Sequence, residues 1–386
     1  MDYDLLTLEH LRARGDVKWE RYPHLIGAWV AEMDFGTAPP IVQAMQTAVE
    51  GGSFGYQQDH LVTSLSAACA AWQRDAYGWE VPASAVHRTS DVIRAFETFL
   101  DHFTRPGSPV ILCTPAYMPF LRLPAVLGRS WIDVPMLGTP GEGWTLDLDG
   151  IDAAFAAGAG SIMLCNPHNP LGKVYTRAEL EALSEVVARH PGARVFSDEI
   201  HAPIIFDGLT HVPYATVSDV AAEQVFTATS ASKGWNLPGL KCAQIIVTAQ
   251  QDRETWDRVG FFASHGASTI GMIANTAAYT SGGRWQADVL AYLEGSRDLL
   301  TALVAEHLPG VGFRSPDGTY LAWLDMRETP AADAPAAFFE EHAGVRGTEG
   351  AECGPVGAGF FRYNFATPRP IMERTIVAMA DALAGR

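Results

Sequence analysis

Residues 230–241 read Ser-Ala-Ser-Lys-Gly-Trp-Asn-Leu-Pro-Gly-Leu-Lys, and this stretch decides how the rest of the chain is interpreted. Only four of the 27 basic residues are lysines, and two of them, Lys233 and Lys241, lie in this stretch. A composition that favours arginine this strongly keeps lysine where arginine cannot replace it. Arginine stays protonated, whereas a lysine amine that loses its proton is a nucleophile. The alternative is a solvated loop lysine in an arginine-rich protein.

The residues around Lys233 are those that a phosphorylated aldehyde cofactor requires. The aldehyde needs an amine, and the phosphate needs hydroxyl donors and a positive charge. Ser230 and Ser232 supply hydroxyls, and Lys241 supplies the second cation. The stretch therefore predicts a site for pyridoxal phosphate (PLP).

Composition narrows the class of protein. A chain of 386 residues, of which 48% are hydrophobic, predicts a large core and two lobes. The formal net charge of -17 argues against binding to nucleic acid or to an anionic membrane surface. Five scattered cysteines without CxxC spacing predict buried free thiols in a reducing compartment. The acidic N-terminus lacks a signal-peptide pattern, and no apolar run reaches membrane-span length, so we expect a cytoplasmic protein.

Short apolar runs alternate with amphipathic stretches through the middle of the chain. The pattern predicts strands at Pro109–Cys113, Ser161–Cys165, Arg194–Ser197, Val225–Thr229 and Ala243–Val247. Helical patterns lie between them, for example Val92–Phe103 and Arg177–Arg189. This alternation predicts an α/β fold, with a mostly parallel sheet covered by helices on both faces.

The regular alternation of short strands and helices ends after Gly282-Gly283. The remaining elements are predicted at Trp285 to about His307 (helix), Tyr320–Asp325 and Phe360–Phe365 (strands), and Pro370–Ala384 (helix). We expect an N-terminal segment (1–45) that packs with the small domain, a large PLP-binding domain (46–283) and a smaller C-terminal α+β domain (284–386).

Polar residues follow three of the predicted strands, where ligands bind in open α/β sheets. Asp198 is a candidate partner for a protonated pyridine nitrogen, or else a helix cap or surface acid. Asn169, in the Asn-Pro-His-Asn-Pro-Leu-Gly string at 166–172, can donate to a phenolate oxygen on the ring. Tyr117 can stack on the ring, although core packing is the commoner role of such an aromatic residue.

Three weaker candidates lie elsewhere. Asp91 and Val92 open a helix whose free N–H groups can hold a phosphate, with Asp91 an awkward neighbour for a dianion unless it caps the helix. Arg362 can hold a carboxylate in two parallel hydrogen bonds, or form a surface ion pair. Tyr56 can give its hydroxyl to a phosphate. The sequence contains no GxxxxGK[ST], GxGxxG, GxSxG or HExxH motif, and no paired histidine spacing that predicts a metal site.

Lys233, Asp198 and Asn169 occur in the order and spacing of fold-type-I PLP enzymes. The chain resembles this aspartate-aminotransferase superfamily over nearly its full length, and within it the bacterial C–S β-lyases of the cystathionine β-lyase/maltose-regulon-modulator type. The segments that carry the resemblance are Trp29–Phe35, Phe54–Tyr56, Asn166–Gly172, Asp198–His201, Lys233–Cys242, Ala291–Gly295 and Arg362–Arg369.

The resemblance implies a role for each candidate. The catalytic residues would be Lys233, which carries the cofactor, with Tyr56 and Tyr117. Cofactor contacts would come from Lys233, Asp198, Asn169, His201, Tyr117, Ser230, Ser232, Lys241, Asp91, Val92 and Tyr56. Arg362 and Asp34 would bind the substrate. Because Tyr56 would come from the neighbouring subunit, a homodimer is expected.

The resemblance implies β-elimination from cystathionine or another S-substituted L-cysteine to give a thiol, pyruvate and ammonia. The main alternative is an aminotransferase, which uses the same residues. A non-catalytic regulator on the same fold is disfavoured, because such regulators carry a DNA-binding domain for which there is no room before Trp29. The chain departs from the lyases at Ser90-Asp91, where Pro-Gly is usual, and at Glu352-Cys353-Gly354, often Phe-Gly. The preferred thioether stays open.

Overall fold

The computed structural model describes residues 2–385 as helices packed around two main sheets. The strands are β1 (Ile26–Gly27), β2 (Val86–Thr89), β3 (Val110–Leu112), β4 (Trp131–Asp133), β5 (Leu137–Thr139), β6 (Gly143–Thr145), β7 (Ser161–Cys165), β8 (Arg194–Asp198), β9 (Val225–Thr229), β10 (Ala243–Ile246), β11 (Gly312–Phe313), β12 (Leu321–Asp325), β13 (Val345–Arg346), β14 (Thr348–Glu349) and β15 (Phe360–Asn364). The helices are α1 (Leu8–Arg14), α2 (Val17–Glu20), α3 (Pro39–Glu50), α4 (Asp59–Tyr77), α5 (Val92–His102), α6 (Met118–Val126), α7 (Leu148–Ala156), α8 (Arg177–Ala188), α9 (Asp219–Gln224), α10 (Ala231–Gly234), α11 (Gln250–Ser264), α12 (Thr269–Ser281), α13 (Gly283–His307), α14 (Pro335–Ala343) and α15 (Arg369–Leu383).

The larger sheet has seven strands in the order β2-β10-β9-β8-β7-β3-β4. The pairs from β9 to β4 are parallel, and β10 runs antiparallel to both of its neighbours. The predicted α/β fold with a mostly parallel sheet is confirmed.

Both faces of this sheet are buried, which explains the nearly continuous apolar strands. In β7, Ile162 and Leu164 join one core cluster while Met163 joins the cluster on the opposite face. In β8, Val195 and Phe196 divide in the same way. Successive side chains point to opposite faces, so helices must cover both.

The smaller sheet, β11-β12-β15-β14, is antiparallel and packs in a third core cluster with the N-terminal segment and α15. The N-terminal segment also pairs through β1 with β13. The N-terminal segment thus contacts C-terminal elements, and the division into a segment at 1–45, a large domain and a small domain with its boundary at residue 283 stays a prediction.

Most predicted elements are present within two residues of their expected ends. The strands β7 and β9 have the predicted bounds, and the long helix α13 begins two residues early, at Gly283. Two strands of the larger sheet were not predicted: β2, which is polar at its centre, and β4, which lies at a sheet edge. Six strands of two or three residues elsewhere were also not predicted, namely β1, β5, β6, β11, β13 and β14. All five cysteines are buried free thiols, as expected. No helix in residues 2–385 has the length and apolarity needed to cross a membrane.

Candidate active site

The topology brings the predicted residues to one edge of the seven-stranded sheet. Strands β2, β3, β7, β8 and β9 run in one direction, so the residues after them meet at the same edge. Because β10 runs the other way, Lys241, which precedes it, reaches that edge too. The chain leaves β3 for β4 on one side and then crosses to β7 on the other. Such a reversal of strand order is where open α/β sheets bind ligands.

Ten of the predicted residues line one cavity of about 190 Å³ at this edge. They are Asp91, Val92, Tyr117, Asn169, Asp198, His201, Ser230, Ser232, Lys233 and Lys241. Arg362 reaches the site through Asn169, whereas Tyr56 and Asp34 do not line this cavity.

The Lys233 amine is held where it can react. Lys233 lies in the short helix α10, which Ser230 caps by accepting the Ser232 N–H (3.0 Å), and its Nζ donates to the Ala31 carbonyl at 2.7 Å. Burial lowers the pKa of the Lys233 amine from 10.5 to about 8, and the nearby Glu32 carboxylate offsets part of that effect. A substantial fraction of the amine is therefore neutral near pH 8, as a nucleophile or base requires.

Asp198 is a buried carboxylate without a cationic partner among the described residues. Its Oδ1 accepts the Ile200 N–H at 3.1 Å, and the Cys165 thiol lies 3.8 Å from its Oδ2. Burial raises the pKa of Asp198 to about 7, although the bond from Ile200 opposes the shift. A protonated ring nitrogen would supply the missing positive charge.

Arg362 is a buried guanidinium with an unused donor. It lies in β15 at 2% exposure, and its two terminal nitrogens donate to Asn169 Oδ1 (3.2 Å), the Trp29 carbonyl (2.9 Å) and Thr348 Oγ1 (3.1 Å). Its Nε has no hydrogen-bond partner, and no carboxylate pairs with Arg362 within residues 2–385. Buried charges are normally paired, so this guanidinium is suited to a carboxylate ligand.

The other end of the cavity carries the hydroxyls and cations predicted for a phosphate. Ser230 and Ser232 are buried, and Ser230 Oγ donates to the Cys242 carbonyl at 2.8 Å. Asp91 caps α5, because its Oδ1 accepts the Arg94 N–H at 2.8 Å. Lys241 Nζ lies 3.2 Å from the other carboxylate oxygen of Asp91. The sequence left the orientation of Asp91 open; the structure turns it toward its own helix and Lys241.

Aromatic and imidazole side chains form the walls between these ends. Tyr117 is partly buried at the start of α6, and burial raises the pKa of its hydroxyl. His201 is buried beside Tyr320, and burial holds its pKa well below 6.5, with the charges of Lys233 and Arg362 adding to the effect. A neutral imidazole at this position can accept or donate one hydrogen bond.

Tyr56 lies outside the cavity of its own chain. It is 90% exposed and lines a separate hollow of about 640 Å³ with Gln57, Arg88 and Phe261. Within one chain the structure does not bring Tyr56 together with Lys233, and its contact with a phosphate stays a prediction.

Asp34 is placed differently from the predicted substrate contact. Its carboxylate is 1% exposed, Oδ2 pairs with Lys18 Nζ at 2.9 Å, and Oδ1 accepts Trp19 Nε1–H at 2.8 Å. With both oxygens engaged by the N-terminal segment, Asp34 has a structural role here. These contacts do not support direct substrate binding, which stays a prediction.

Three groups that act on the Lys233 amine or its acceptor were not identified from the sequence. The Ala31 carbonyl accepts from both Lys233 Nζ and the Tyr320 hydroxyl (2.9 Å), and a backbone acceptor leaves no signature in residue types. Tyr320 begins a predicted strand, which was the only available signal. Glu32 is the carboxylate that acts on Lys233, and burial raises its own pKa. Its position in the segment Trp29–Phe35 was the signal that could have identified it.

The residues present fit PLP. The cavity offers an amine with a lowered pKa, a carboxylate that lacks a cation, and hydroxyls with a second cation at the opposite end. The orphaned donor of Arg362 beside Asn169 suits the carboxylate of an amino acid.

Such a site on such a sheet places the chain in the aspartate-aminotransferase-like class of PLP-dependent proteins. The sequence agrees with the fold: residues 26–378 match the aminotransferase class I and II family, and the chain belongs to it. A cystathionine beta-lyase of Corynebacterium glutamicum is 39% identical, with 97% of this chain and 99% of that protein covered. The cystathionine beta-lyase PatB of Bacillus subtilis is 31% identical over 90% and 91%. The structure of a putative PLP-dependent beta-cystathionase from Corynebacterium diphtheriae superposes with a TM-score of 0.92, at 41% identity and 98% coverage of both chains.

Proposed function

We propose that this chain is a PLP-dependent carbon–sulfur β-lyase that cleaves L-cystathionine or related S-substituted L-cysteines to a thiol, pyruvate and ammonia. The observation that carries the proposal is one cavity that joins the Lys233 amine, the Asp198 carboxylate and the Asn169–Arg362 pair. The full-length similarity to cystathionine beta-lyases supports the reaction and the substrate class.

Lys233 transfers protons at the substrate, and Asp198 stabilises a proton on the cofactor ring. When bound, PLP supplies an aldehyde that condenses with amines and an electron-poor ring that accepts the electron pair released at Cα. Lys233 Nζ takes the Cα proton, because its lowered pKa keeps part of the amine neutral near pH 8. The resulting ammonium returns a proton to the departing sulfur. The Asp198 carboxylate stabilises a proton on the ring nitrogen, which keeps the ring electron-poor.

Arg362 and Asn169 orient the substrate. The guanidinium of Arg362 is fixed by the Trp29 carbonyl and Thr348 Oγ1 before any ligand binds, so little side-chain freedom is lost on binding. It holds the α-carboxylate of the amino acid and keeps Cα within reach of Lys233. The Asn169 amide accepts a hydrogen bond from Arg362 through Oδ1, and its NH2 group would donate to the ring oxygen.

The test is the release of pyruvate and free thiol from L-cystathionine by the PLP-loaded protein, without an added keto acid. We expect many turnovers per site, and none from Lys233→Ala. Lys173→Ala is the matched control, because Lys173 pairs with Glu179 and does not line the cavity. Turnover that appears only after 2-oxoglutarate is added would replace the lyase by an aminotransferase.

The proposal includes a homodimer in which Tyr56 completes the partner's site. Its support is a set of exposed aromatic side chains, Phe54 (71%), Tyr56 (90%), Phe261 (71%) and Phe262 (75%), of which Tyr56 and Phe261 line the same hollow and Phe261 packs against Phe262. Large apolar patches of this kind are typical of interaction surfaces.

Complementation tests the shared site. Co-expression of a Lys233→Ala chain with a Tyr56→Ala chain gives hybrid dimers in which one site has both wild-type residues. Random pairing places one complete site in half of the dimers, so about a quarter of the wild-type activity should return. Activity no greater than that of the separate variants would contradict the shared site.

Two further proposals concern organisation and location. A cytoplasmic protein is supported by five buried free thiols, which persist in reducing compartments. The division into a segment at 1–45, a large domain at 46–283 and a small domain at 284–386 is supported by the two separate sheets.

A further inference from the structure

The phosphate end of the cavity contains a carboxylate that engages two of the groups expected to hold the phosphate. Asp91 Oδ1 accepts the Arg94 N–H of α5 at 2.8 Å, and Asp91 Oδ2 lies 3.2 Å from Lys241 Nζ. Both Asp91 and Lys241 line the cavity, together with Ser230 and Ser232. The Asp91 carboxylate therefore binds both an N–H group in the first turn of α5 and the ammonium of Lys241.

The backbone of Lys241 adopts an uncommon conformation at this end of the cavity, although its side chain is 60% exposed. Its φ of 50° and ψ of 63° lie in the left-handed region, which few residues with side chains adopt. Its carbonyl accepts the Ser268 N–H at 2.9 Å, which ties the strained residue to the start of α12. Strain of this kind persists where the surroundings enforce it, and it is concentrated at functional sites.

The charges at this end compete with one another. A helix N-terminus attracts anions through its free N–H groups, but Asp91 already binds one of them and places its own negative charge there. A phosphate must share the Lys241 ammonium with that carboxylate or displace it. A residue without a carboxylate at this position would leave both groups free.

We propose that Asp91 is a built-in competitor of the cofactor phosphate, so that this chain holds PLP less tightly than its cavity otherwise allows. The inference rests on the proposed function and deepens it, because it concerns the cofactor site of the same enzyme. Asp91 thus determines the affinity for the phosphorylated form of the cofactor, and it does not act on the aldehyde end.

The experiment is a titration of the full-length protein, stripped of cofactor, with PLP and in parallel with pyridoxal, followed by absorbance. Asp91→Asn removes the charge and keeps the cap, because asparagine caps helices as well as aspartate does. We expect the Kd for PLP to fall about fivefold, the factor that about 1 kcal/mol between exposed charges gives. The Kd for pyridoxal should stay unchanged, and the gain for PLP should shrink at about 1 M salt.

Asp147→Asn is the matched control. Asp147 caps α7 in the same way, with Oδ1 accepting the Gly150 N–H at 2.9 Å, and it does not line the cavity. This variant removes the same net charge and should leave both Kd values unchanged. If the asparagine variant folds poorly, Asp91→Ser repeats the test, because the serine hydroxyl can also cap the helix and carries no charge.

Each outcome decides the matter. An unchanged Kd for PLP in Asp91→Asn means that the carboxylate does not compete, and a higher Kd means that it positions Lys241 for the phosphate; either result overturns the inference. Equal gains for PLP and pyridoxal would also overturn it, because the effect would not depend on the phosphate. The titration needs no turnover, so a protein that binds PLP and fails to cleave L-cystathionine would contradict the proposed reaction alone.

Discussion

The buried pair between Lys18 and Asp34 offers a decisive test of the role assigned to the N-terminal segment. Both side chains are 1% exposed, and the Asp34 carboxylate is bonded to Lys18 Nζ and to Trp19 Nε1. Lys18→Met replaces an unbranched chain with an apolar one of similar shape. It leaves the Asp34 carboxylate buried with Trp19 as its remaining side-chain partner.

The magnitude follows from the loss of one member of a buried ion pair, which costs about 3–5 kcal/mol. For a chain of this length the entropy of unfolding near Tm is about 0.8 kcal/mol/K, so Tm should fall by about 4–6 °C. Replacing both members, with Lys18→Met and Asp34→Leu together, removes the unpaired charge. The double variant should therefore recover most of the loss.

The assay is thermal unfolding of the PLP-loaded protein by circular dichroism, with steady-state kinetics on L-cystathionine at 20 °C. Arg74→Met is the control, because Arg74 and Asp75 form an exposed pair whose loss should change Tm by less than about 1 °C. If Asp34 also bound the substrate, Lys18→Met would change KM strongly in addition to lowering Tm. That result would refute a purely structural role, and an unaltered Tm would refute the cost assigned to the buried charge.

The charged groups of the cavity give three more predictions. Because the pKa of Lys233 is about 8, the rate at which the cofactor-free protein captures PLP should rise across pH 7–9 with a midpoint near 8 in stopped-flow absorbance; a midpoint near 10 would contradict this. Burial raises the pKa of Asp198 to about 7, so the folded protein without cofactor loses stability as the pH rises from about 4 to about 7 and then levels off. Asp198→Asn should thus raise Tm of the cofactor-free protein at pH 8 and leave it unchanged at pH 4, and equal shifts at both pH values would count against the argument. Arg362→Lys keeps the charge and loses the planar pair of donors, so kcat/KM for L-cystathionine should fall about 10- to 100-fold while the Kd for PLP is retained; an equal loss in PLP binding would place Arg362 at the cofactor instead.

The parts of the fold that the sequence predicted are those with strong local patterns. The strands β7 and β9 are buried at every position, are mostly apolar and have the predicted bounds. The strand β2 was missed because its sequence, Val-His-Arg-Thr, is polar at its centre, as an edge strand tolerates. Its place in the sheet is fixed by pairing with β10, which lies far along the chain.

The site was predictable where residue type alone implies chemistry. Lys233, Asp198 and Asn169 carry groups that a cofactor requires, and sheet topology made their meeting at one edge expected. The role of Asp34 was not predictable, because an acid near a site and an acid paired with Lys18 have the same sequence signature. Only the geometry of the N-terminal segment separates the two.

A common electrostatic feature connects the site residues. Asp198 and Arg362 are buried and unpaired among the described residues, and burial lowers the pKa of Lys233. Each of these buried groups destabilises the folded protein when no ligand is bound, because a buried charge without a partner is costly. PLP would bring a ring cation and an aldehyde, and the amino-acid substrate would bring a carboxylate, so the two together relieve all three conditions. The same complementarity that binds cofactor and substrate therefore makes the cofactor-free protein the least stable form, and the Tm of the Asp198→Asn variant at pH 8 and pH 4 measures one part of that cost directly.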